Sequence, residues 1–211
     1  MKPNPKSLVC LGALSVAALA SQSALANVVG NLYVNGNGTS QVTFSDSAVT
    51  FSPTISNIQV TSTDLKYGSG LSLAAGTVGS VASVFLPLTT ALNNFITFAA
   101  QGLDFTLAPG ISASNYALTA ISAGQTDIAL SLRGTVTDGS GNTSNWIGAI
   151  DNTIQSPIAT VAAGLSDGGI VTSFSGSLST FVAPVPEPST YALLVAGLGM
   201  FGVMLRRRSP R

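Results

Sequence analysis

The chain has 211 residues, with eight basic and eight acidic side chains, no histidine and one cysteine, Cys10. Without histidine there is no Ser-His-Asp triad, no Cys-His dyad and no histidine-based zinc site, and a single cysteine supplies neither a disulfide nor the usual haem or iron–sulfur ligands. The formal charge of zero hides an asymmetry. Residues 27–183 hold only Lys66 and Arg133 against seven aspartates, a net charge of −5, which leaves no electrostatic footprint for nucleic acid.

The N-terminus reads MKPNPKSLVCLGALSVAALASQSALA. Lys2 and Lys6 precede an apolar run from Leu8 to Ala20, and Ala24-Leu25-Ala26 forms a small-x-small site. These are the marks of a secretory signal peptide over residues 1–26, cleaved after Ala26, with Ala24 and Ala26 as the cleavage-site residues. The alternative, an uncleaved membrane helix, has a core short of the roughly 20 residues a span needs. A lipoprotein reading of Cys10 lacks the small residue before the cysteine. Cleavage removes Cys10, so the mature fold is held by burial and backbone pairing alone.

Residues 27–183 are a natural size for one domain. Serine and threonine supply about a quarter of them, yet period-two patterning argues for strands rather than disorder. QVTFS alternates Val42 and Phe44, NIQVTS alternates Ile58 and Val60, and LDFTLAPG alternates Leu103, Phe105 and Leu107. DIALSLRGTVTD places Ile128, Leu130, Leu132 and Val136 on one face; GSGN then turns the chain and WIGAI returns, a hairpin. GIVTSFSGSLS has the same texture. SVASVFLPLTTALNNFITFAAQG is the one helix candidate, although Pro87 interrupts it and NNFITF reads equally as a strand. The expectation is an all-β fold, a single antiparallel sandwich-like domain with one helical or irregular excursion near residues 80–95.

Candidate chemistry in this domain is sparse. GSGLSLAAG lacks the lysine and spacing of a phosphate loop, and GNGTS reads as a turn. Two aspartates are the remaining route to histidine-free glycoside hydrolysis, but Asp46, Asp138, Asp151 and Asp167 read as turn residues that close Asx-turns. DGSGNTSN offers Asp138, Ser140 and Asn142 on alternate positions but lacks the glycine and glutamate of a calcium loop; it reads as the hairpin turn. Trp146, the only tryptophan, is either an exposed sugar platform or, more commonly for a lone tryptophan in a β domain, core. Thr61-Ser62-Thr63 is a single short run, not a ladder. The sequons at Asn37 and Asn142 match the glycosylation pattern and read as chance matches. No metal or cofactor is expected.

The C-terminus reads VPEPSTYALLVAGLGMFGVMLRRRSPR. Residues 190–205 carry no charge and are expected to form a short membrane helix, extended by Arg206, Arg207 and Arg208, which would snorkel and hold that end in the cytoplasm. A plain anchor does not explain Pro186-Glu187-Pro188. Motif, apolar segment and basic cluster, in this order over residues 184–211, resemble the PEP-CTERM sorting signal of Gram-negative envelope proteins, a tail also described as "ice-binding protein C-terminal". The resemblance implies recognition of Pro186, Glu187 and Pro188 by an exosortase-like transpeptidase that processes the protein near the motif, and a setting in exopolysaccharide and biofilm assembly.

The sequence therefore divides into a signal peptide (1–26), a β-rich extracytoplasmic domain (27–183) and a sorting signal (184–211). The reading is a non-catalytic protein exported by the Sec machinery, anchored transiently in the inner membrane with its body outside the cytoplasm, and sorted to the cell envelope or beyond. There it serves as a structural or adhesive component of the surface or matrix, with polysaccharide as a possible partner. The alternatives are a secreted aspartate-based carbohydrate-active enzyme and a plain membrane-anchored surface protein.

Overall fold

The computed structural model describes residues 27–68 and 70–182, which fall within one compact unit, Ala26–Ala183. The signal-peptide residues Ala24 and Ala26, the motif Pro186-Glu187-Pro188, the apolar segment 190–205 and the cluster Arg206–Arg208 lie outside the described residues. Among the described residues no helix is long and apolar enough to cross a membrane.

The strands, in chain order, are β1 (Gly30–Gly36), β2 (Gln41–Phe44), β3 (Ala48–Ser52), β4 (Ile58–Thr63), β5 (Lys66–Tyr67), β6 (Leu71–Ser72), β7 (Val78–Val81), β8 (Val84–Phe85), β9 (Leu92–Phe98), β10 (Leu103–Leu107), β11 (Tyr116–Ser122), β12 (Gln125–Thr137), β13 (Thr143–Ile154), β14 (Ile170–Thr172) and β15 (Ser175–Phe181). One α-helix, α1 (Ile158–Ser166), joins β13 to β14.

The all-β expectation holds, but the architecture is not a sandwich. The large sheet runs β10-β9-β7-β4-β1-β15-β13-β12-β11, and β10 pairs back onto β12. That pairing, Asp104↔Thr137 through Leu107↔Gly134, closes eight strands into an antiparallel barrel. The reason lies in the length of β12. Its 13 residues outrun any single neighbour on that edge, so the first half pairs with β11 (Tyr116↔Leu130) and the second half with β10. Closure satisfies backbone groups that a sandwich would leave at an edge.

The spine is the β12–β13 hairpin, in register from Thr126↔Ile154 to Thr137↔Thr143. Its turn is closed by Asp138 N–H donating to the Asn142 carbonyl (3.0 Å) and Gly141 N–H to the Asp138 carbonyl (2.9 Å). Gly141 has φ +83°, a conformation that costs a side-chain-bearing residue. Alternate residues Ile128, Leu130, Leu132 and Val136 point inward and are buried, as period-two patterning requires.

A second sheet, β14-β2-β3-β8, lies at the end of the barrel where β1 finishes and β15 begins. It is tied there by Gly36 N–H to the Phe174 carbonyl (3.1 Å) and by the edge-to-face pair Phe51–Phe174 at 5.2 Å. Tyr116 crosses from β11 to donate its hydroxyl to the Ser45 carbonyl (2.9 Å) and meets Phe44 edge-on. Burial pushes that hydroxyl up to about 12, the Asp46 charge adding to the shift.

Of the readings left open near residues 80–95, helix, irregular or strand, the strand is the one that forms over NNFITF. Strands β8 and β9 are separated by Pro87, and Phe95, Ile96 and Phe98 of β9 are buried in the barrel. Branched and aromatic residues favour the pleated surface over a helix that Pro87 would break. A helix forms at Ile158–Ser166. Pro157 sits at its N-cap, Val161 and Leu165 are buried, and Gly168 and Gly169 follow with φ +89° and +94°, a proline-first, glycine-last arrangement.

Candidate functional site

The barrel lumen is packed with side chains. Leu32, Val34, Ile58, Val81, Ile96, Leu132, Trp146 and Leu178 fill it, all at most 5% exposed. A void of about 10 Å³ lies among Val34, Ile58, Val81, Ile96, Leu132, Trp146 and Leu178, the size of a single water at most.

Trp146 is core and is not a sugar platform: it is 1% exposed. Its ring lies parallel to Phe95 at 6.2 Å and edge-on to Phe105 at 5.9 Å. Its indole N–H donates to the Thr135 carbonyl (3.1 Å) on β12 and the Thr106 carbonyl (3.2 Å) on β10, so it bridges the seam where the barrel closes. Gly134, its cross-strand partner, makes room: a Cβ there would stand 1.8 Å from the Thr106 oxygen and 2.9 Å from the indole nitrogen.

The aspartates divide by role. Asp138 is buried in the hairpin turn and accepts four hydrogen bonds: from the backbone N–H groups of Ser140, Asn142 and Gly68, and from the Asn142 amide. Burial pushes its carboxyl up, but the bonds from Asn142, Ser140 and Gly68 outweigh this and hold it below the usual carboxylate value. The turn reading of DGSGNTSN stands. Asp46 accepts from the Ser166 hydroxyl (2.9 Å) and so links the β2–β3 turn to the end of α1. Asp64 accepts from the Asn31 backbone and side-chain N–H groups, which lower its pKa. Asp167 forms the C-cap of α1. Asp151 is a correction: it lies within β13, not in a turn, and accepts from the Ser175 hydroxyl. Asp127 of β12 shares the outer face with it, accepting from Thr153 (3.3 Å). Among the described residues no group of three or more acidic, histidine or cysteine side chains is placed to hold a metal.

The concave surface lies outside the barrel. Where β12 changes partner from β11 to β10, the wall parts around Ser131–Arg133, and the loop 108–115 bridges the gap. That loop is fixed by Leu88 N–H to the Ile111 carbonyl and Gly110 N–H to the Leu88 carbonyl, both 2.8 Å. Ser112 and Asn115 cap each other within it. A concavity of about 650 Å³ runs beneath the loop over the outer faces of β1, β15, β13 and β12, and a second of about 420 Å³ adjoins it toward Phe181. Both include Arg133 and Ile147, and no carboxylate lines either one. Tyr33, Ile147 and Phe181 are about half exposed there, at 47, 52 and 43%. Sequence reading singled out none of these residues as a site. The available signal was Arg133 itself, a lone cation on a strand whose outward neighbours are Ser131 and Thr135.

Outside the described residues, the comparisons bear on the C-terminal tail. Neither a curated protein nor a solved structure matches the chain. Residues 184–208 match the family model of the PEP-CTERM protein-sorting motif. The chain thus carries the PEP-CTERM sorting motif, the mark of a protein that an exosortase sorts to the cell surface or the extracellular space.

Proposed function

We propose that the β-barrel domain is a non-catalytic structural or adhesive component of the cell surface or of its exopolysaccharide matrix. The observation that carries this reading is the match of residues 184–208 to the sorting motif. The precursor is exported by the Sec machinery with cleavage after Ala26 and held in the inner membrane through residues 190–205. An exosortase-like enzyme then processes it at Pro186-Glu187-Pro188.

The barrel supports the non-catalytic part of the reading. Its interior is packed, its outer groove contains no carboxylate, and Asp138, Asp46 and Asp64 are engaged in holding loops. Double-displacement or inverting hydrolysis needs two carboxylates across a cleft at about 5–10 Å. Asp127 and Asp151 instead share one outward sheet face.

The test replaces Pro186-Glu187-Pro188 with three alanines in the native host, followed by fractionation and by measurement of retained surface polysaccharide in a strain lacking the protein. Full-length chain accumulating in the membrane fraction, together with a weakened surface matrix, is the expected result. Unchanged surface delivery of the alanine variant overturns the sorting step. An unchanged matrix in the deletion strain overturns the structural role.

A further inference from the structure

We propose that the outer groove centred on Arg133 binds a linear glycan bearing carboxylate groups, one uronate seated on the guanidinium. The inference deepens the surface-matrix reading above and rests on it for the kind of ligand the domain meets.

Arg133 is the only arginine among the described residues. Its side chain is exposed, and its guanidinium lies 3.7 Å from the position a Cβ would take on Gly110, at the lip of the overhanging loop. Arg133 and Ile147 line both concavities, so the cation stands between two adjoining open surfaces. An open surface accepts a segment of a polymer, whereas a closed pocket would demand a free terminus.

The lining sorts the ligand by chemistry. Hydroxyl and amide groups of Ser131, Ser177, Asn115 and Asn145 supply uncharged hydrogen-bonding partners, and Tyr33 in the first concavity and Phe181 in the second supply partly exposed rings. Alternating polar groups and aromatic faces suit a pyranose chain, whose rings have polar edges and apolar faces. The planar fork of a guanidinium matches a carboxylate bidentately. The domain's net charge of −5 disfavours a densely charged polyanion, so the fit is to one carboxylate per several sugar rings' span of groove. Asp151 and Asp127, farther along the same sheet face, set an acidic limit on that side.

The test titrates the full-length chain, in detergent micelles, with a malto-oligosaccharide carrying a single uronate residue and with the neutral malto-oligosaccharide of the same length. Binding is read by calorimetry and folding is checked by circular dichroism. Saturable binding of the uronate is expected, about tenfold or more tighter than the neutral chain and weakening with added salt. Arg133→Gln is expected to lose about tenfold in affinity, Arg133→Lys to recover part of it, and Lys66→Gln, outside the groove, to change nothing. Absence of saturable binding to the folded chain overturns the site. So does equal affinity in Arg133→Gln, or equal affinity for a poly-glutamate peptide, which would assign the groove to acidic protein segments. Any of these results leaves surface sorting intact, because delivery is measured independently by fractionation.

Discussion

The indole nitrogen of Trp146 on β13 reaches past its neighbour β12 to the carbonyl oxygen of Thr106 on β10, 3.2 Å away. One side chain thereby touches the three strands that meet at the closure of the barrel. Trp146→Phe keeps most of the buried ring and removes the donor from two carbonyls; a loss of about 1–3 kcal/mol is expected. Trp146→Ala, which also opens a cavity, is expected to cost about 3–5 kcal/mol. Denaturant midpoints at constant m-value measure both.

Gly134 tests the same seam from the other side. Gly134→Ala forces a methyl group against the Thr106 carbonyl and is expected to destabilise the fold by about 2 kcal/mol or more. Gly124, between β11 and β12, has nothing within 4 Å of an added Cβ, so Gly124→Ala is expected to be neutral or slightly stabilising. Thermal melts of the two variants, run side by side, separate close packing from a general cost of replacing glycine.

Asn57 is fully buried and makes three hydrogen bonds. Its amide donates to the Pro53 and Val81 carbonyls (2.8 and 2.9 Å), and its oxygen accepts from the Val81 N–H (2.7 Å). Asn57→Ala leaves these backbone groups buried without partners, and a loss of about 2–4 kcal/mol is expected. Hydrogen exchange at the Val81 amide should rise with it; an unchanged Val81 amide would contradict the assignment.

Asp138 links stability to pH. Its folded carboxyl titrates below the ordinary aspartate value of 3.8, so on acidification the unfolded chain takes up the proton first. The stabilisation is therefore complete well above that value and is lost as pH falls through it toward the folded pKa. Asp64 acts in the same direction. Asp138→Asn is expected to be less stable at pH 7 by about 1–3 kcal/mol, because backbone donors lose a charged acceptor, and to show a shallower decline between pH 5 and pH 3. An acid limb as steep as that of the parent would contradict this.

Much of the sheet was legible because a strand with one buried face must alternate. Ile128, Leu130, Leu132 and Val136 announced β12, and the Gly/Asn turn announced its return. Closure was not legible, since it rests on pairing β10 with β12 across intervening β11, and alternation is identical in a sandwich and a barrel. The signal that existed was Gly134, a glycine interrupting the inward-facing series where another backbone approaches closely. Residues 80–100 stayed ambiguous because their apolar spacing imitates a helical stripe, and α1 went unread because it is short and alanine-rich, with Pro157 rather than a capping side chain at its start. The groove escaped notice because its residues, from Tyr33 to Phe181, are gathered only by the barrel's curvature and by the loop 108–115.

The most direct test of sorting is mass spectrometry of the terminal peptides of the protein extracted from its native envelope. Export and exosortase processing predict an N-terminus at Asn27 and a tail that is absent or modified beyond about Pro188. Recovery of the intact tail through Arg211 from the membrane fraction, with no processed form at the surface, would contradict them.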